Sequence, residues 1–154
     1  MIKDIYIQIK YFLKGLRNFW EFRKLVFHHK DWDYSFSLRL FGFGLKRLGD
    51  FLEKNGTEVE ETRMLKVSKI KRAVEIIKAI EEDTWLSLAE EKLGKKIVFY
   101  QYLSIEEWSE ENRDIIDLAK RLENEWTDEL FGILKGNHQD KKNFDGSGLF
   151  GWWD

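Results

Sequence analysis

Residues 59–94, VEETRMLKVSKIKRAVEIIKAIEEDTWLSLAEEKLG, decide the fold class. Met64, Val67, Ile70, Val74, Ile77 and Trp85 follow mostly alternating steps of three and four, which places them on one face of an α-helix. The flanks between them are charged, and Gly94 is a left-handed terminator suited to closing the run. The pattern predicts one helix from about Val59 to Leu93, packed along much of its length against a partner. Its charged side carries Arg63, Lys66, Lys69 and Arg72 at three-residue steps, a basic ridge of the kind that contacts phosphates; an ordinary salt-bridged helix face is the competing reading.

Working outward, Asn55 and Gly56 end a preceding helix that starts near Tyr34 and runs to about Glu53. Phe36, Leu38, Leu40, Phe41, Phe43, Leu45, Leu48, Phe51 and Leu52 make it apolar nearly all round. Gly42, Gly44 and Gly49 interrupt it, so it reads as buried, with glycines admitting a close neighbour. Before it, Ile5, Ile9, Phe12, Leu13, Leu16, Phe19, Trp20 and Phe27 recur with lysine and arginine between them. This is an amphipathic helix from Lys3 to about Phe27 with a basic polar face. The break at Lys30–Asp33 is a turn in which Asp33 serves as an N-cap.

After Gly94, Ile97–Leu103 is short, apolar and β-branched at its start, and reads as one extended segment packed on the helices. Ser104 and Glu107 form a capping box that opens a last helix reaching Lys135, acidic on one side and closed by Gly136. The fold class expected is therefore all-α or nearly so: a bundle of about four helices with one short extended segment. Residues 1–154 form a single helical domain whose tail, 137–154, packs back on the bundle.

Composition narrows the functions. With 26 basic and 28 acidic residues the net charge is -2, so no global field recruits DNA, RNA or an anionic membrane. There is no cysteine, which excludes a disulfide framework and thiolate zinc sites. Charges at Lys3, Asp4, Lys10 and Lys14 interrupt any signal peptide or membrane span, and a cytoplasmic protein is expected. Neither a phosphate-binding glycine loop nor a GxSxG or HExxH pattern occurs, so the expectation is a protein that is not an enzyme and uses no cofactor or metal. His28, His29 and His138 offer a three-histidine site only formally.

Proline is absent, while aromatic residues make up 16% of the chain and include seven tryptophans. Two segments concentrate them with charge. Around the first turn, Trp20, Arg23, Trp32, Asp33 and Tyr34 bring together a cation, stacking rings and a carboxylate, a composition suited to a nucleotide. Trp32 as a plug between helices is the alternative. In the closing NFDGSGLFGWWD, the turn Asp145–Gly148 exposes backbone N–H groups, and Trp152, Trp153 and Asp154 follow. The tryptophans either latch the tail onto the core or help line a site.

The stretches FWEFRKLVFHHKDWDYSFSLRL (19–40), GTEVEETRMLKVSKIKRAVEIIKAIEEDTW (56–85) and DGSGLFGWWD (145–154) together resemble a family of small proteins widespread in tailed bacteriophages. Through it the chain is similar to the anti-CBASS sponge proteins that sequester cyclic nucleotide signals such as cyclic GMP-AMP. The resemblance implies a phage immune-evasion protein in the infected bacterium's cytoplasm that binds a small cyclic oligonucleotide without cleaving it. Arg23, Arg63, Lys66 and Arg72 would then meet phosphates. Trp20, Trp32, Tyr34, Trp152 and Trp153 would supply rings, and Asp33 or Asp154 would accept from an exocyclic amine. No nucleic-acid polymer and no membrane is expected as partner. A long amphipathic helix and an aromatic tail able to complete a neighbour's pocket leave homo-oligomerisation open. The competing function is a non-catalytic module that binds a host or virion protein through its tryptophan-rich surface.

Overall fold

The computed structural model describes residues 2–27, 34–98, 104–136 and 144–152. The protein is all-α. Among the described residues there are six α-helices and one 3-10 turn, and no strand: α1 (Ile2–Phe27), α2 (Tyr34–Asn55), α3 (Glu60–Glu82), α4 (Trp85–Leu93), α5 (Ile105–Glu111), α6 (Arg113–Lys135) and the 3-10 turn Leu149–Trp152. The chain separates into two compact units, 1–40 and 41–154, with the boundary inside α2.

The larger unit is a helix bundle. From Phe41 onward, α2 turns Leu45 and Leu52 inward, and its two glycines act as seats for isoleucines of α3. A Cβ at Gly42 would lie 3.0 Å from Ile77 Cγ2, and one at Gly49 would lie 3.0 Å from Ile70 Cγ2. The two glycines are seven residues apart, as are the two isoleucines, in reversed order, so α2 and α3 run antiparallel with matched heptad spacing. Gly44 has open space where its Cβ would be and plays no such part. Lys71 Nζ donates to Glu53 Oε1 at 2.8 Å along the edge of this seam.

The expected single helix from Val59 to Leu93 is broken. Asp83 takes a left-handed conformation (φ 48°), and its N–H together with that of Thr84 bonds back to carbonyls at Ile80 and Ala79. Aspartate tolerates this conformation better than most non-glycine residues. The chain then restarts as α4 in a new direction, closed by Gly94 as the sequence suggests. The reorientation buries Trp85 and Ala89 with Ala79, Ile115, Ala119 and Leu122 in a second apolar cluster, where Trp85 meets Trp126 edge-on at 5.5 Å. Helix α6 is the common partner, packing against α3, α4, α5 and the 3-10 turn.

The last helix is also interrupted. Ser104 and Glu107 form the capping box at its start, but α5 ends at Glu111. Asn112 is buried, and its side chain accepts from Val98 N–H at 2.9 Å while its amide donates to Trp108 and Val98 carbonyls. These bonds tether the 95–98 segment to the α5–α6 junction, and α6 then runs on to Gly136. Residues 95–98 are non-helical; the rest of the expected extended segment, 99–103, lies outside the described residues.

In the smaller unit α1 is continuous over 26 residues. Among the described residues no helix is long and apolar enough to cross a membrane.

Candidate functional site

The basic ridge of α3 is present, but each of its cations meets a partner within the larger unit. Arg63 Nη1 donates to the Gly56 carbonyl at 2.9 Å. Lys66 is buried, with its Nζ 2.7 Å from Glu58 Oε1. Lys69 lies 3.3 Å from Asp145 of the tail. Arg72 forks onto Glu129 with bonds of 2.9 and 2.6 Å, reaches Glu75 at 3.0 Å, and lies over the Trp126 ring at 4.2 Å. The fork holds the Glu129 carboxyl below its ordinary pKa. Charge-assisted bidentate pairs of this kind are among the stronger polar contacts, and a phosphate would have to displace them. Glu75, three residues after Arg72, is a spacing the sequence shows, whereas Glu129 stands 57 positions from Arg72 and no local spacing announces that pair.

The described part of the tail, 144–152, is built into the fold. Gly148 N–H donates to the Ile133 carbonyl at 2.8 Å, and Trp152 is buried with its indole N–H on the Gly146 carbonyl at 2.7 Å. Trp152 therefore acts as the latch. Asp145 accepts from the Ser147 hydroxyl and backbone N–H in a tight turn. Those bonds, with Lys69 beside it, hold the Asp145 carboxyl down to about 2, from an ordinary 3.8. A depressed folded-state pKa contributes stability that is complete above the unfolded value and lost as pH falls through the folded one. Wild-type protein is expected to lose tail stability between about pH 4 and pH 2, and Asp145→Asn should flatten that slope. Near-ultraviolet dichroism of the tryptophans against pH is the measurement; an unchanged slope in the variant would show that other carboxylates carry it.

Of the remaining expected site residues, Trp20 and Arg23 do come together. The Arg23 guanidinium lies 3.4 Å from the Trp20 ring centre. Its Nη1 is buried and has no hydrogen-bond acceptor among the described residues. Tyr34 opens α2. Trp32, Asp33, Trp153 and Asp154 lie outside the described residues, as do His28, His29 and His138. Among the described residues no group of three or more histidines and carboxylates gathers at metal-binding distance.

Hollows lined by described residues open on the larger unit. One, of about 150 Å³, is lined by Lys46, Gly49, Asp50, Ile70, Lys71 and Val74. Another, of about 170 Å³, lies beside Glu75, Lys78, Glu82, Thr84, Leu88 and Trp126. Both fall below the roughly 300 Å³ at which enclosed small-molecule sites begin.

Among the described residues, an extended apolar surface is exposed on α1. Its aliphatic and aromatic side chains are exposed along nearly its whole length, from Ile7 at 47% to Phe27 at 87%, with Phe12 at 66% and Trp20 at 65% between them. Scattered apolar residues are normal on a surface, but a contiguous stripe of this kind marks an interaction site. The sequence does show this amphipathicity; what it hides is that the apolar face stays exposed while the α3 ridge is paired.

Compared with protein-family models, curated proteins and solved structures, the chain has no significant match.

Proposed function

We propose that this chain is a non-catalytic interaction protein that docks on another protein through the apolar stripe of α1, with the 41–154 bundle as its folded anchor. The observation that carries this reading is the exposure of Phe12, Leu13, Leu16, Phe19 and Trp20 on one helix. Burying such side chains is worth about 1.5–3 kcal/mol each, so a partner surface has ample driving force. The carboxylate partners of Lys66 and Arg72, and the Gly56 carbonyl that engages Arg63, weigh against the nucleotide-sequestering alternative, whose phosphates need cations. That alternative keeps one supporting observation, the Arg23–Trp20 pair, in which a cation and a ring stand together as a nucleotide would require.

Both readings are open to titration. A synthetic amphipathic helix with leucine in its heptad seam and neutral residues elsewhere is expected to bind the full chain saturably, read by tryptophan anisotropy. Phe12→Glu with Leu16→Glu should weaken that binding on the order of a hundredfold, since central apolar anchors each contribute upwards of 1 kcal/mol. Absence of binding, combined with tight uptake of a cyclic di- or trinucleotide recovered intact after heating, would replace the docking reading with sequestration.

A further inference from the structure

Most of the apolar residues of α1 repeat at seven: Ile5, Phe12, Phe19 and Val26 form one row, and Ile2, Ile9 and Leu16 form another, with Arg23 in the fourth place, while Ile7, Tyr11, Phe22 and Leu25 lie off the stripe. An α-helix drifts about 20° per heptad against such a repeat, so rows held at seven over this length match a partner that winds with the helix. A flat surface asks only for the 3.6-residue period. A third row, Tyr6, Leu13, Trp20 and Phe27, widens the stripe beyond a two-row seam, which suits a groove between two helices better than a single one.

Charge is ordered in the same register. Lys3, Lys10, Arg17 and Lys24 form a fourth row, adjoining the Tyr6–Phe27 row, whereas the opposite border carries Gln8, Gly15 and Phe22. The helix holds six cations against two carboxylates, in a chain whose net charge is -2. Resting on the docking reading above, we propose that the partner is a helical groove of another protein with a row of carboxylates along one rim of its apolar seam. Pairing of α1 with the α1 of a second copy fits less well, because it would set the same cationic border against itself, and like charges along a helix border oppose pairing.

The test uses the full-length protein and two synthetic heptad peptides identical in their leucine seam, one bordered by glutamates and the other by lysines. The glutamate peptide is expected to bind at least about tenfold more tightly at low salt, with the gap closing at high salt. Lys10→Glu with Arg17→Glu should invert the order while leaving far-ultraviolet dichroism unchanged. Equal binding of both peptides would overturn the acidic-rim inference and leave apolar docking standing; binding of neither would overturn both. Preferential partition into phosphatidylserine-containing vesicles over either peptide would replace the protein groove with a bilayer surface. A concentration-dependent mass in light scattering that Leu16→Glu abolishes would replace it with a second copy.

Discussion

Replacing Trp152 by alanine is expected to destabilise the 41–154 unit by about 3–5 kcal/mol, the usual cost of emptying a fully buried tryptophan site, and to lower its melting temperature by on the order of 15 °C. The indole is buried and donates to the Gly146 carbonyl, so the change removes both packing and a hydrogen bond. The loss is bounded by the worth of the latch, because a tail that has lost its anchor can peel away rather than enclose a cavity. Gly146→Ala reaches the same end by another route. Gly146 has φ 86°, and a Cβ there would stand 2.4 Å from the carbonyl carbon and oxygen of Leu65, which are helix backbone and cannot yield. If the two substitutions undo one docked segment, the double variant should cost little more than the worse single one. Denaturant midpoints for the four proteins decide the point: additive losses, or a Trp152→Ala cost under about 1 kcal/mol, would mean that the tail is not held as a unit.

The sequence shows the helices well and their interruptions poorly, for a physical reason in each case. Periodicity locates α2 and the body of α3, because burial of one face leaves a local trace, and it locates α1 by its apolar repeat although that face is exposed. Gly94, Gly136 and the Ser104–Glu107 capping box are legible for the same reason, since caps are satisfied by neighbours in sequence. The break at Asp83 is not legible. The apolar steps continue through it, and only the packing of Trp85 and Ala89 beside α6 demands a change of direction. The break at Asn112 depends on Val98, fourteen positions earlier. The candidate site shows a parallel division. Cations are visible one by one in a sequence, whereas partners such as Glu129 and Asp145 are remote, so a ridge that reads as suited to phosphates is largely engaged within the fold. Trp152 could be either latch or ligand wall from sequence, and its burial beside Gly146 makes it the latch.

The pair Lys66–Glu58 separates a structural cation from a binding one. Lys66 keeps only 6% of its side chain exposed, and Glu58 keeps 21%. The second carboxylate oxygen of Glu58 is buried and lacks a hydrogen-bond donor among the described residues, and the Phe144 ring lies 5.9 Å from the ammonium. Glu58→Ala leaves that ammonium enclosed without its acceptor, and breaking a buried pair from one side costs about 3–5 kcal/mol. Partial exposure of Glu58 lets water recover some of this, so a loss of about 2–4 kcal/mol is expected. Lys66→Met keeps the length and apolar body of the side chain and leaves behind the more exposed of the two partners, so its cost should stay below that of Glu58→Ala. Glu58→Gln combined with Lys66→Met should be nearly neutral. This ordering follows if Lys66 serves Glu58 and the tail. Were Lys66 instead reserved for an anionic ligand, the ion pair would contribute little to folding, and Glu58→Ala would be tolerated as well as Lys66→Met in chemical denaturation.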